Sequence, residues 1–358
     1  MLKIKYVIYL YFIINIKLLL GGINLIEGID AIKLIDNPDV VFISGDSHSL
    51  YESNHITGSR EMYAHHIHES NGEGFMECAP MFMCISRAEQ YLRRKGIRNN
   101  QLVIAYDNFK GPNASGVYAF FESIGHKNLK LLNGGYAAIK KVDPKQIEFN
   151  ALKKQRKLLK REARKENKNG NIEKSNKLKA EAKNLKKKMK SLKPHLLIVK
   201  GKEKKHKESD YTIDKFALNI QFVADKYEVE YAMHDILEKR ENSKYVIIDT
   251  RSLIEIIGER KMDNVARGGH IPGAIPIEWK NITDFKNKKS FKDKASMQRV
   301  FDKMHITKDQ TIYTYCQVGV GRGSHIAAAL RILGYKNVKV FSGSWDVWGN
   351  DMSLPITR

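Results

Sequence analysis

An internal repeat constrains this chain more than any other feature of its sequence. Four pairs of segments recur in the same order along the 358 residues: 40–47 with 245–252, 55–59 with 270–274, 102–107 with 311–316, and 123–137 with 332–346. Asp107 and Cys316 hold matching positions 209 residues apart, and Gly134 and Gly343 share this spacing. Four matches in a fixed order are not expected by chance. The sequence therefore predicts two copies of one domain, which fits the two or three domains expected at this length.

Each copy has the sequence pattern of an α/β domain. Short apolar runs that end in polar residues are typical of buried parallel strands, and they occur at 40–44, 103–106, 246–249 and 312–315. Apolar residues recur at helical spacing over 324–333, and Gly334 is suited to end that helix. Alternating strands and helices predict a parallel sheet flanked by helices in each copy. We expect a ligand where the carboxyl ends of the strands meet the helix N-termini.

Most of the net charge of +22 lies between the two copies. Residues 153–208 contain 23 Lys or Arg and 6 Asp or Glu, so the rest of the chain is nearly balanced. Leucine, alanine and methionine recur at helical spacing around a break at 167–171, which predicts a basic helical hairpin over 153–193 and a linker over 194–210. A solvated surface is the expectation for these charges. The alternative is contact with an anionic surface, of lipid or nucleic acid, although no specific nucleic-acid partner is predicted.

The first 22 residues have the layout of a signal peptide or membrane anchor. A short basic start is followed by an apolar run of eleven residues at 6–16, then by Lys17 and a second apolar stretch. Eleven residues are too few to span a bilayer, which needs about 20, and no A-x-A cleavage site follows. We expect export to the periplasm or tethering to a membrane. A buried segment of the first domain, in a cytoplasmic protein, is the alternative.

The sequence contains three cysteines, which excludes a disulfide-rich scaffold and a paired CxxC metal site. Cys78 and Cys84 could pair with each other in an exported protein, but the prediction is two unpaired thiols. Cys316 is distant from both in the chain and directly follows a predicted strand. This position makes Cys316 the candidate for chemistry.

Cys316 starts a glycine-rich turn between a predicted strand and a predicted helix. The six residues after it are Gln317, Val318, Gly319, Val320, Gly321 and Arg322. Successive N–H groups in such a turn form an anion-binding concavity, and the helix N-terminus adds positive potential. A cysteine in this position is stabilised as a thiolate, the form that acts as a nucleophile, and Arg322 adds a permanent positive charge. A buried structural cysteine is the alternative.

The chain resembles the tandem-domain rhodaneses, the thiosulfate and 3-mercaptopyruvate sulfurtransferase family, over residues 24–145 and 215–355. The motifs that carry the resemblance are Asp249-Thr250-Arg251, RGGHIPGA at 267–274, Tyr315-Cys316 and SGSW at 342–345. The resemblance implies that the second copy holds the catalytic cysteine and that the first copy, with Asp107 in the matching position, is degenerate. The predicted boundaries are 1–22 for the N-terminal segment, 23–150 for the first rhodanese-like domain, 151–212 for the basic insert and linker, and 213–358 for the catalytic domain.

The resemblance also implies sulfur transfer in two steps. The Cys316 thiolate would take the outer sulfur of a donor such as thiosulfate as a persulfide, and an acceptor such as cyanide or a thiol would then remove it. No metal or organic cofactor is implied. Asp249 and Arg251 would form a structural ion pair near the loop. His270 would fix a turn. Arg267, or alternatively Arg260, could reach the anionic group of the donor.

One departure from the family pattern keeps a second activity open. The arginine comes sixth after Cys316, at Arg322, whereas ordinary rhodaneses place Arg or Thr fifth. This longer C-x5-R loop is similar to that of rhodanese-fold phosphatases and arsenate reductases, which are the enzymatic alternative. A non-enzymatic sulfur relay or binding module, recruited by the basic insert, is the third. The donor stays open between thiosulfate and 3-mercaptopyruvate, because Gln317-Val318 matches neither family motif.

Overall fold

A parallel sheet forms the centre of the first copy in the computed structural model, which describes residues 22–69, 78 and 82–358. The strands of this copy are β1 (Leu25–Ile26), β2 (Val40–Ser44), β3 (His55–Ile56), β4 (Arg60–Glu61), β5 (Leu102–Tyr106) and β6 (Leu129–Leu132). Its helices are α1 (Gly28–Ala31), α2 (His48–Ser53), α3 (Ile85–Arg94), α4 (Pro112–Ser123) and α5 (Gly135–Val142). Five of the strands pair in parallel in the order β1-β6-β5-β2-β4.

Two long helices follow the first copy and pack against each other as the basic hairpin, α6 (Pro144–Lys168) and α7 (Ile172–Leu192). Ala163 and Ala182 are buried between them, whereas nearly all of their lysines and arginines are exposed. The hairpin begins at Pro144 rather than at residue 153, because the Asp143 side chain caps α6 by accepting the N–H of Lys145. Strand β7 (Ile198–Val199) then pairs antiparallel with β3, so the predicted linker is partly a strand.

The second copy repeats the sheet of the first. Its strands are β8 (Val223–Ala224), β9 (Tyr245–Asp249), β10 (Ile275–Pro276), β11 (Thr311–Tyr315) and β12 (Val338–Phe341). Its helices are α8 (Lys226–Lys239), α9 (Leu253–Ile256), α10 (Lys294–Asp302), α11 (Arg322–Ile332) and α12 (Ser344–Trp348). The parallel order β8-β12-β11-β9-β10 matches the order in the first copy strand for strand. The predicted pair of α/β domains, with a basic hairpin between them, is confirmed.

The central strands are buried because helices cover both faces of each sheet. Four of the five residues of β5, and four of the five of β11, are inaccessible to solvent. Short 3-10 turns complete the connections at Ile32–Leu34, Ala64–His66, Lys193–His195, Ile220–Phe222, Arg240–Asn242 and Trp279–Asn281. Apolar runs of this kind, with β-branched and aromatic residues, are what a doubly covered parallel strand requires.

The two copies pack against each other through α4 and α11. Gly116 of α4 allows this approach, since a Cβ there would lie 1.6 Å from the carbonyl oxygen of Val320. Arg331 pairs with Glu122 at 2.5 Å across the same interface. The interface brings the first copy directly to the loop that follows β11.

The predictions for the N-terminal segment and for the first two cysteines have different outcomes. The predicted signal peptide or anchor at 1–22 lies outside the described residues, apart from Gly22. Within the described part, no helix is long and apolar enough to cross a bilayer. The prediction of two unpaired thiols was wrong: Cys78 and Cys84 are joined by a disulfide. Their Cα atoms lie 5.2 Å apart, which is within the range a disulfide needs.

Candidate active site

Cys316 directly follows β11, and α11 begins six residues later at Arg322. The Cys316 side chain is 1% exposed, so its sulfur lies at the base of the loop rather than on the surface. The backbone N–H of Gly319 donates a hydrogen bond to Cys316 Sγ at 3.3 Å. A donor aimed at sulfur, together with the N-terminus of α11, stabilises negative charge at this position.

Gly319 is the residue that lets the turn point an N–H group at the sulfur. Its φ is +86°, a conformation that side chains disfavour, and a Cβ there would lie 2.6 Å from the carbonyl oxygen of Phe341. The hydroxyl of Ser324 donates to the Gly319 carbonyl at 2.8 Å and fixes the turn from the α11 side. The loop geometry is therefore set before any ligand binds.

Helix α12 holds the loop from the opposite side. Ser344 Oγ accepts the Cys316 N–H at 3.2 Å, and the Trp345 N–H donates to the Cys316 carbonyl at 3.2 Å. Ser344 itself adopts a positive φ of 49°, which is uncommon for a residue with a side chain. Sequence reasoning did not select Ser344, although it stands inside the SGSW motif.

The side chains of the predicted anion loop point into the protein. Gln317 Nε2 donates to Asp346 Oδ1 at 2.9 Å, and the Asp346 N–H donates to the Gln317 carbonyl at 2.9 Å. Val318 and Val320 are buried in the apolar core. The loop thus directs the Gly319 N–H at the sulfur, while these three side chains serve packing and hydrogen bonding.

Arg322 does not extend freely over the loop, because Glu255 holds it. Its guanidinium donates to the two Glu255 carboxylate oxygens at 2.8 and 3.0 Å, and Arg260 donates to the same carboxylate at 3.0 Å. Burial opposes ionisation of Glu255, but the Arg322 hydrogen bonds and charge lower its pKa well below the usual range. Burial alone would lower the pKa of Arg322, but its hydrogen bonds to Glu255 and the nearby charge of Cys316 raise this pKa above its usual value. Glu255 is 67 residues away in sequence, and no motif signalled this contact.

Asp249 and Arg251 form a buried ion pair below the loop. Arg251 Nη2 donates to Asp249 Oδ2 at 2.7 Å and to the Gly269 carbonyl at 2.6 Å. Both residues are 1% exposed, and the guanidinium carbon lies 4.5 Å from the centre of the Trp345 ring. This geometry suits the predicted supporting role, since the pair ties the end of β9 to the 267–274 segment and to α12.

His270 and Arg267 both bind backbone groups of the second copy. His270 Nδ1 lies 3.0 Å from the Ile256 carbonyl, and its backbone N–H donates to Thr357 at 2.8 Å, which fits the predicted turn. Arg267 donates to the carbonyls of Trp348, Gly349, Asp351 and Leu354. The structure thus corrects the expectation that Arg267 reaches the donor, because its N–H groups are used to hold the C-terminal segment.

A histidine of the first copy lies at the end of the cysteine loop. A Cβ built on Gly321 would lie 3.6 Å from His65 Nε2. The segment that carries His65 is fixed to the first sheet, because the N–H groups of Met62 and Ala64 donate to Ser44 and Gly45. Sequence reasoning missed His65; the available signal was the HHIH run at 65–68, which follows the first copy of the repeated HITGS segment.

The rhodanese-like domain family matches this chain twice, at residues 29–142 and 232–351. The protein belongs to this family. Among curated relatives, the sulfur carrier protein TtuD of Thermus thermophilus is 33% identical over 150 residues, which cover 37% of this chain and 52% of that protein. The thiosulfate sulfurtransferase of Azotobacter vinelandii is 36% identical over 110 residues, 31% of this chain and 39% of that enzyme. This member of the rhodanese-like family thus aligns with about half or less of the length of these relatives.

Solved structures share the fold along almost the whole chain. Wild-type EanB superimposes with a TM-score of 0.63, covering 93% of this rhodanese-like protein and 69% of EanB at 18% sequence identity. A second EanB structure, a variant in complex with ergothioneine covalently linked to a persulfide, superimposes with a TM-score of 0.64 at 19% identity, covering 93% of this chain and 70% of the other. At these identities the likeness concerns the fold alone.

Proposed function

We propose that this rhodanese-like protein is a sulfurtransferase in which Cys316 carries a sulfane sulfur as a persulfide. The observation that carries the proposal is the Gly319 N–H bond to Cys316 Sγ at the start of α11. A sulfur held in this way is stabilised as an anion, both as thiolate and as persulfide. The names of the curated relatives, a sulfur carrier protein and thiosulfate sulfurtransferases, support the same chemistry.

The first step takes sulfur from an anionic donor, for which we propose thiosulfate. The Cys316 thiolate attacks the outer sulfur, a bond forms between the two sulfurs, and the bond to the sulfonate sulfur breaks. Sulfite leaves with the electron pair of that bond, and the persulfide carries the single negative charge that the thiolate brought. The N–H groups of the loop would bind this anion, and Arg322 and Arg260, which both contact Glu255, would add positive charge nearby.

The second step returns the enzyme to its starting state. A thiophile such as cyanide or a thiolate attacks the outer sulfur of the persulfide and forms a bond to it. The bond between this sulfur and Cys316 Sγ breaks, and the electron pair stays on Cys316 as thiolate. The Gly319 N–H, already 3.3 Å from Sγ, stabilises this leaving thiolate.

The position of Arg322 favours sulfur transfer over phosphoester hydrolysis. A phosphatase needs its loop arginine to clamp the tetrahedral oxyanion with both outer N–H groups. Here both terminal nitrogens of Arg322 donate to Glu255 instead. A non-enzymatic relay would use the same persulfide but would pass it only to a specific partner.

The test is sulfur transfer from thiosulfate to cyanide by the purified full-length chain. We expect thiocyanate formation, and a loss of at least about a thousandfold in Cys316→Ser, because the nucleophile is gone. A double variant in which Cys78 and Cys84 become serine controls for loss of the other cysteines and should remain active. Phosphate release from an aryl phosphate without any thiocyanate would overturn the proposal.

We also propose that the basic hairpin contacts an anionic surface, which would locate the enzyme rather than change its chemistry. Ala163 and Ala182 are buried between α6 and α7, and nearly all of the lysines and arginines of the hairpin are exposed. Such a surface attracts anionic lipid electrostatically and depends on ionic strength. Membrane tethering through residues 1–22, or export, would bring the hairpin near such a surface.

A further inference from the structure

We propose that His65, contributed by the first copy, is a donor-binding residue that takes up one proton when the anionic donor binds at the Cys316 loop. The proposal rests on the sulfur-transfer function proposed above. It assigns a direct part in donor binding to the copy that lacks the nucleophile.

The position of His65 is fixed by the sheet of the first copy. Residues 62–69 pass over the carboxyl end of β2, where Met62 N–H donates to Ser44 at 2.8 Å and Ala64 N–H donates to Gly45 at 3.2 Å. The 3-10 turn Ala64–His66 then presents His65 Nε2 to Gly321, the last loop residue before α11. Ala64 lies against Gly116 at the interface. A displacement of the turn would therefore also disturb the packing of α4 on the second copy.

No backbone atom of the described chain closes the face of Gly321 that is turned toward His65. Within the described part of the chain, a Cβ built on Gly321 meets no atom within 4 Å other than His65 Nε2. Most other glycines of the two copies would meet backbone atoms at 3.1 Å or less. A ligand that binds the N–H groups of the loop would therefore have the imidazole as its neighbour on the outer side.

The charges around this space sum to zero before a donor arrives. Arg322 and Arg260 contribute two positive charges, while Glu255 and the Cys316 thiolate contribute two negative charges. The ion pair of Asp249 and Arg251 adds nothing to the sum. A dianion such as thiosulfate thus enters a site without net positive charge, and a proton on the adjacent imidazole would supply it.

The other groups that face His65 leave it neutral in the free enzyme. Burial, then the positive charge of Arg322, then His68 and His66 lower the pKa of His65 to about 4. Tyr63 contacts the His65 ring at 5.1 Å between ring centres. On the far side, burial lowers the pKa of His68 as well, and the negative charge of Asp346 offsets part of this effect. A bound dianion would offset the repulsion from Arg322, so the imidazole would accept a proton from solvent on binding.

Proton uptake has a defined effect on the apparent affinity for the donor. Below the pKa of free His65 the affinity is maximal, and it falls as the pH rises toward the higher pKa of the donor complex. In that interval the KM for thiosulfate should rise by up to about tenfold per pH unit. Thiosulfate itself remains a dianion throughout, so the donor does not contribute to this slope. After cleavage of the S–S bond, the proton leaves with sulfite as bisulfite.

The experiment compares the KM for thiosulfate from about pH 5 to about pH 8 in three full-length proteins. We expect a rising KM in the wild type and in His66→Asn, which removes the exposed neighbouring imidazole, and a nearly pH-independent KM in His65→Asn. The test uses the differences between the three KM profiles, because titrating groups other than His65 and His66 are common to all three proteins. Parallel KM profiles in all three proteins would overturn the inference.

A second measurement separates this inference from the proposed function. If the wild type shows no thiosulfate-dependent gain of sulfur on Cys316, the function itself is wrong, and the His65 inference falls with it. If sulfur is gained and His65→Asn retains the wild-type pH slope, the inference alone is wrong. Circular dichroism and the unfolding midpoint of His65→Asn, compared with His66→Asn, report whether a change in KM reflects misfolding.

Discussion

The two copies share one strand order but differ in what stands at the ends of their central strands. In the second copy Cys316 follows β11, and the Asp249–Arg251 ion pair supports it from β9. In the first copy Asp107 follows β5, and Ser44 and Asp46 occupy the places of the ion pair. The same backbone therefore carries a cysteine in one copy and a carboxylate in the other.

In the first copy, the loop after β5 binds a carboxylate of the protein itself, that of Asp107. The N–H groups of Gly111 and Ala114 donate to Asp107 Oδ2 at 2.8 and 3.4 Å. In the second copy the Gly319 N–H donates instead to a sulfur that can react. The comparison teaches that both loops direct backbone N–H groups at the residue after the central strand, whether its side chain ends in a carboxylate or in a sulfur.

The largest effect is expected from breaking the ion pair of the second copy. Arg251→Met should lower the free energy of unfolding by about 3–5 kcal/mol, because it leaves Asp249 buried and uncompensated. Chemical denaturation checks this value. The double variant with Asp249→Asn should regain much of the loss; a single variant as stable as the wild type would show that the pair is not needed to support β9.

At Asp46 in the first copy we expect the opposite effect on stability, because removal of its charge should stabilise the protein. Burial raises the pKa of Asp46, and the charge of Asp107 raises it further. Because the pKa of Asp46 is raised in the folded state, the stability that its protonation contributes is fully present below the unfolded pKa. This contribution is lost as the pH rises through the folded pKa. Asp46→Asn mimics the protonated form, so we expect its Tm to exceed that of the wild type by roughly 2–4 °C at about pH 8.

The size of this difference should depend on pH. At about pH 5 the wild type keeps more of the proton, and the Tm values of the two proteins should converge. Ser47→Ala, at a half-buried position next to Asp46, serves as the control that changes no carboxylate. A constant difference at every pH would mean that Asp46 is not protonated in the folded protein.

A smaller effect is expected at the Arg322–Arg260–Glu255 charge cluster of the second copy. Glu255→Gln keeps hydrogen-bonding groups for Arg322 and for the start of α9 but removes the negative charge that offsets the two arginines. We expect the KM for thiosulfate to fall by about two- to fivefold at low ionic strength, and the difference to shrink with added salt. An increase in KM would show that Glu255 orients Arg322 for donor binding rather than neutralising it.

The smallest effect on chemistry is expected from the segment that neither copy contains. Replacing residues 148–190 with a short Gly-Ser linker should leave kcat/KM within about twofold, since the basic hairpin packs mainly against itself. Sedimentation with vesicles of anionic lipid should show salt-sensitive capture of the full-length protein and its loss in the deletion. A variant with Lys186, Lys187 and Lys188 changed to glutamine keeps the helices and should bind more weakly; an inactive deletion would assign the hairpin a role in orienting the copies.

Much of this architecture could be predicted because it depends on local patterns. The repeat located the central strands of both copies, since apolar runs at matching positions fold alike. The glycine-rich run after Cys316 identified the loop, because Gly319 requires a conformation that side chains disfavour. The Asp143-Pro144 cap was also readable and would have placed the start of the basic hairpin correctly.

The remaining features depend on contacts between distant segments. Glu255 meets Arg322 only after α9 and α11 are placed on the same side of the sheet. Arg267 was expected at the donor, but all three of its guanidinium nitrogens donate to backbone carbonyls of the C-terminal turn. His65 reaches the loop from the other copy, through an interface that the sequence alone did not specify.

The mass of the protein after brief treatment with thiosulfate tests the central claim most directly. We predict that Cys316 gains one sulfur atom, that cyanide removes it, and that Cys316→Ser gains none. A peptide map should show the added sulfur on Cys316 and not on Cys78 or Cys84. A wild-type protein that turns over thiosulfate without gaining sulfur on Cys316, or that gains none under any donor concentration, would contradict the account.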